Sequence, residues 1–240
     1  MTSDAGNGRR FKTALPNDFR GDILLLLIVS GDFEMPPSPL SNTRPTHELV
    51  VYHSAYGLRP SVVDFADTLR EAGHIVHTPD LYDGEVFSDR EEVIRKIQDL
   101  GFDRLLERAA SAVAHLPPGL VYAGFSNGGV CAELLAATRP GARAAILIHA
   151  PLLVRDLGWR VWPAGVSVQA HFANKDPIRN QSVIDSLAAK VRQSGATFEL
   201  YDYDAPGHLF ADPAFPAYSK QATDLMTKRV LEFLEQIATD

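Results

Sequence analysis

The sequence predicts one α/β domain, a largely parallel sheet covered by helices on both faces. Two observations carry that prediction. From residue 47 onward, short apolar runs alternate with amphipathic stretches of helical period. The chain of 240 residues is 45% hydrophobic and 22% charged, enough apolar material to bury one such sheet in one domain.

The elements follow in chain order. ELVVYH (48–53) reads as a buried strand. PSVVDFADTLREAG (60–73) reads as a helix: Val63, Phe65, Ala66 and Leu69 can share a face, and Gly73 supplies the stop. HIVHTP (74–79) is a second strand, and residues 89–115 hold one or two helices with Gly101 as the break. GLVYAG (119–124), AAILIH (144–149), VSVQAHF (166–172) and TFELYDY (197–203) are the remaining strands. Helical patterns fill 128–138, 179–193 and 217–238. There is no internal repeat.

The first 46 residues read as an extension ahead of the α/β domain expected at 47–240. Its apolar run ILLLLIV (23–29) reads as a buried or edge strand, and EMPPSPLSNTRPT (34–46) as a Pro-rich linker. Arg9 and Arg10 precede the apolar run, but Asp18, Arg20 and Asp22 separate them from it, unlike a secretory signal. The run is also far shorter than the roughly 20 residues of a membrane-spanning helix. A net charge of −7 disfavours nucleic acid, which needs a basic face. A single cysteine, Cys131, allows no internal disulfide and suits a reducing, cytoplasmic setting. It sits about one helical turn past Ser126 and reads as a small buried hydrophobe.

In a parallel α/β sheet, ligands bind beyond the carboxyl ends of the strands. The residues that follow each strand are therefore the candidates. GFSNGG follows the strand at 119–124 directly, and Gly124, Ser126 and Gly128 form G-x-S-x-G. Between a strand and a helix this is a nucleophile elbow, with the serine held on a sharp turn. The helix start and the Asn127 N–H can stabilise developing negative charge. Serine needs a base. Of eight histidines, only His208 lies in a loop after the last strand and before the last helix, within DAPGHLFAD. ANKDP (173–177) follows the fifth strand and offers Asp176 to orient that base, with a helix cap as its plain alternative. Asp202 and Asp204 are rivals that come one strand too late. The loop HSAYGLRPS supplies a second oxyanion donor, the N–H of Ser54, with Ala55 next in line. His53 either lines the site or is a strand-end histidine bonded to backbone, and Arg59 reads as a solvated loop cation.

Together HSAYGLRPSVVDFADTLREAGHIVHTPDLYDG, GFSNGGV, HFANKDP and PGHLFADP resemble the dienelactone hydrolase family of α/β-hydrolases. The likeness runs from about residue 47 to the C-terminus. It implies a compact hydrolase of small esters or lactones without a large lid, metal or organic cofactor, and a monomer or weak homodimer. It places His53, Ala55, Tyr56 and Tyr82 around the substrate. Three departures stand out. The best-known family members carry cysteine where this chain has Ser126, and glutamate where it has His53. Their two carboxylate-holding arginines match Gly84 and Asp212, so an uncharged substrate is expected, with Asp212 repelling an anion. An idle scaffold that binds a ligand or protein is the competing expectation.

Overall fold

The computed structural model describes residues 45–152 and 161–238. They belong to the second of two units, Met1–Thr43 and Arg44–Asp240. The expected strand at 23–29 and nearly all of the Pro-rich segment lie outside the described residues.

Among the described residues, six parallel strands form one sheet: β1 (Glu48–Tyr52), β2 (Ile75–His77), β3 (Val121–Phe125), β4 (Ala144–Ile148), β5 (Ser167–Ala173) and β6 (Phe198–Tyr203). Their order is β2-β1-β3-β4-β5-β6. The central strands β3 and β4 are buried at every position, which is why they read as unbroken apolar runs. β2 is an edge strand of three residues, shorter than the expected 74–79.

Helices cover both faces. α1 (Pro60–Glu71) and α6 (Lys220–Gln236) pack on one face through Phe65, Leu69, Met226 and Phe233. α3 (Phe102–Ala112), α4 (Asn127–Thr138) and α5 (Gln181–Gln193) pack on the other through Leu105, Cys131, Leu135 and Leu187. α2 (Arg90–Leu100) is separated from α3 by Gly101. The buried face of α1 is Val62, Phe65, Ala66 and Leu69, so Val62 and not Val63 faces the sheet. That set keeps the i, i+3, i+4, i+7 spacing that Val63 would break. Caps set the helix starts. Asp89 accepts from the N–H groups of Glu91 and Glu92, Asn180 caps α5, and Ser219 caps α6. The last two caps place those starts two and three residues later than the sequence pattern indicates.

The chain leaves β1 for the edge strand β2 and returns past β1 to β3. The crossover direction thus reverses between β1 and β3, and their carboxyl ends open a crevice there. No helix among the described residues is long and apolar enough to cross a membrane.

Candidate active site

Ser126 stands at the hinge between β3 and α4 with φ 51° and ψ −117°. That backbone conformation is unfavourable for a residue with a Cβ, at a cost of about 1–3 kcal/mol. The surrounding packing enforces it. A Cβ on Gly124 would fall 2.1 Å from the Gly128 carbonyl oxygen, and one on Gly128 would fall 2.4 Å from the Tyr52 and His53 carbonyl oxygens. Only hydrogen at these positions lets α4 begin this close to β3 and to the end of β1. The Ser126 N–H bonds the Ile148 carbonyl at 2.8 Å, which ties the turn to β4.

A serine ahead of a helix ordinarily turns its hydroxyl back to cap it. Ser126 makes no such bond. Its Oγ lies 2.9 Å from His208 Nε2, and His208 Nδ1 lies 2.8 Å from Asp176 Oδ2. Since a carboxylate only accepts, Nδ1 carries the proton and Nε2 is left to accept from the hydroxyl. The Asp176 side chain is fully buried, and its Oδ1 accepts the Ile178 N–H at 3.0 Å. Asn180, not Asp176, caps α5. The rivals are elsewhere: Asp202 pairs with Arg179 at 3.0 Å and Asp204 is exposed.

Asn127 is the first residue of α4, so its N–H has no acceptor within the helix. Ser54 follows the two residues that Gly128 abuts, which sets it beside the start of α4. Its carbonyl accepts from the Gly57 N–H at 3.1 Å and its Oγ from the Tyr56 N–H at 3.2 Å, folding the loop back on itself.

The residues expected around the substrate divide into two kinds. His53 is 2% exposed and has no free ring nitrogen. The Leu81 N–H donates to Nε2 at 2.9 Å, and Nδ1–H donates to the Ser54 carbonyl at 2.7 Å. Burial keeps this imidazole below its ordinary pKa. It is the strand-end histidine bonded to backbone, and it braces the Ser54 loop against the chain after β2. Tyr82 is also buried, edge-on against His53 and Phe87. Tyr56 is partly exposed and meets Phe215 edge-on at 4.6 Å, while Ala55 is buried.

One other placement differs from the sequence reading. Arg59 is not a solvated cation. Its side chain is 12% exposed, and its Nε donates to Asp212 Oδ2 at 2.7 Å. Asp212 is accordingly not a bare negative charge, and the repulsion it would exert on an anion is largely compensated within the pair. His149, at the end of β4, sits in the left-handed region at φ 47° with its ring fully buried. It packs against Phe210 at 4.6 Å and against His208 at 5.6 Å, and neither of its nitrogens has a hydrogen-bond partner. Burial holds it neutral, well below the ordinary histidine pKa. Its place directly after a central parallel strand was the available signal. Cys131 is buried and its thiol is pushed up to about 12, so it is not a thiolate at neutral pH. Among the described residues, no cluster of three or more His, Cys, Asp or Glu could hold a metal ion.

The crossover, the strained serine turn between strand and helix, and the chain order of Ser126, Asp176 and His208 define an α/β-hydrolase. The chain belongs to the dienelactone hydrolase family, whose model matches residues 38–238. No curated protein matches the sequence. Solved structures share the fold at low identity. One is a dienelactone hydrolase-like promiscuous phosphotriesterase from metagenomic libraries, 21% identical over 82% of this chain and 89% of that one, with a TM-score of 0.65. Another is a thermophilic esterase from the planctomycete Thermogutta terrifontis, solved with propionate bound. It is 16% identical over 81% of this chain and 86% of that one, with a TM-score of 0.60. The family makes this chain a carboxylic ester hydrolase with a small-molecule substrate.

Proposed function

We propose that the chain hydrolyses small, uncharged esters or lactones through an acyl-enzyme on Ser126. The observation that carries this reading is the continuous row Asp176–His208–Ser126, joined at 2.8 and 2.9 Å. In the first step His208 Nε2 takes the Ser126 proton as Oγ attacks the ester carbonyl carbon. The negative charge moves to the carbonyl oxygen, where the N–H groups of Asn127 and Ser54 receive it. Buried Asp176 stabilises the imidazolium, which then protonates the departing alkoxide as the carbon–oxygen bond breaks. Water, deprotonated by the same imidazole, releases the acid.

The preference for an uncharged substrate rests on the charges at hand. Gly84 has no side chain, and Arg59 is already bonded to Asp212. A substrate carboxylate gains no free guanidinium fork from either position. The catalytic domain in this reading is residues 47–240, and a lone buried thiol fits a cytoplasmic setting. The test is a fluorophosphonate probe, which captures only an activated serine. The reading expects stoichiometric labelling of the wild-type chain and none of Ser126→Ala. Equal labelling of both, or none of the wild type, would refute it.

A further inference from the structure

Ser54 and His208 serve opposite ends of the same reaction, yet they lie on loops more than 150 residues apart in sequence, so something must hold the two loops in register. Arg59 closes the Ser54 loop immediately before α1. Its Nε–H meets Asp212 Oδ2 at 2.7 Å, and Asp212 stands four residues past His208. Its Nη1–H donates to the Phe87 carbonyl at 2.8 Å. Its guanidinium lies over the Phe215 ring, 5.1 Å from the centroid. The contacts close into a ring: the Phe87 N–H donates to the Tyr56 carbonyl at 2.9 Å, and Tyr56 packs edge-on against Phe215. Asp212 is itself fixed, with Oδ1 accepting the Ala214 N–H at 3.0 Å and its own N–H donating to the Leu209 carbonyl at 3.0 Å. One guanidinium thus joins three loops.

We propose that Arg59 and Asp212 are positioning residues, whose ion pair straps the loop carrying Ser54 to the loop carrying His208. Arginine suits the position because its rigid planar fork can bond a carboxylate, bond a carbonyl and stack on an aromatic ring at once. Both partners are nearly enclosed, at 12% and 13% side-chain exposure, so solvent screens the pair little. The strap acts on the register of base and oxyanion donor rather than on substrate contact.

The inference rests on the esterase reading, and the experiment keeps the two apart. It uses two esters of one acyl group, an ethyl ester and a p-nitrophenyl ester, and reads kcat/KM, which reports acylation. The ethoxide leaving group must be protonated by the imidazolium, whereas p-nitrophenoxide departs with little help. Displacement of the Ser54 N–H lowers turnover of both esters, and displacement of the imidazolium lowers that of the ethyl ester further. A displacement approaching 1 Å is expected to lower ethyl-ester kcat/KM by about 10- to 100-fold in Arg59→Lys or Asp212→Asn. The p-nitrophenyl ester should lose clearly less in the same variants. The Arg59→Lys/Asp212→Asn double variant should lose no more than the worse single, because both break one strap. Arg59→Met/Asp212→Leu, which replaces a buried ion pair by apolar bulk that such sites often accept, should keep the wild-type melting temperature and show the same selective loss. Equal losses on both esters, multiplied losses in the double variant, or unchanged turnover would overturn the strap while Ser126→Ala remains inactive. Turnover surviving in Ser126→Ala would overturn the esterase reading and the strap with it.

Discussion

Gly128→Ala adds one methyl group at the point where α4 meets β1. Its Cβ would stand 2.4 Å from two backbone carbonyl oxygens, those of Tyr52 and His53, and 2.6 Å from the Tyr52 carbonyl carbon. Ordinary contact begins near 3.4 Å, so the helix start or the strand end must retreat by roughly 1 Å, and neither is a flexible side chain. Overpacking of this kind costs about 1–3 kcal/mol. For a chain of this size that corresponds to a fall of roughly 2–12 °C in melting temperature. The retreat also separates Ser126 and Asn127 from Ser54, and a misplacement of about 1 Å is worth on the order of 100-fold in rate. The matched control is Gly207→Ala, adjacent to His208. Its Cβ would meet only the Lys175 carbonyl oxygen at 3.8 Å, an ordinary contact, and its φ is not positive. That variant should melt no lower than wild type and keep its turnover within a few-fold. Calorimetry and short-chain ester turnover on both variants decide the matter. Wild-type stability and rate in Gly128→Ala would refute the claim that close approach at this glycine sets the oxyanion geometry.

Three further outcomes follow from the same geometry. Burial pushes His171 down to about 3, whereas an unfolded histidine titrates near 6.5. Between those values the unfolded chain binds the extra proton, so stability falls on acidification below about pH 6.5, by roughly 1.4 kcal/mol per pH unit for this residue. Urea unfolding at pH 7.5 and 5.0 should show that loss, and His171→Gln should reduce the slope by about one proton; an unchanged slope would contradict it. His53→Ala removes the brace between Leu81 and Ser54 and should lower kcat by about 10- to 100-fold, the scale of a supporting shell, leaving KM little changed; a loss as complete as that of His208→Ala would make His53 the base. Asp176→Asn should lower kcat by about 10³- to 10⁴-fold with little change in KM. Either amide orientation sets an N–H donor against the His208 Nδ1–H or the Ile178 N–H; a loss below tenfold would remove Asp176 from the row.

What the sequence made legible was local. β3 and β4 are continuous apolar runs because both of their faces are covered, and the serine elbow carries its glycines within five residues. Ser126, Asp176 and His208 could be ranked because each lies in the segment that follows a strand of a parallel sheet, within five residues of its end. The partners that shape the site were not legible. Arg59 and Asp212 are 153 positions apart, and nothing in either loop signals the other. His53 finds its partner in the N–H of Leu81, a group every residue but proline carries, so no pattern marks it. Helix ends moved for a related reason: a cap such as Ser219 is chosen by the turn before it, not by the apolar period of the helix.

In the proposed reaction an acyl group passes through Ser126. The direct test is acid-quenched intact-mass analysis during turnover of a p-nitrophenyl ester whose deacylation is slow, followed by peptide mapping. A mass gain of one acyl group is expected, mapped to the peptide containing Ser126 and absent from Ser126→Ala. Acylation mapped to another residue, or turnover undiminished in Ser126→Ala, would contradict it.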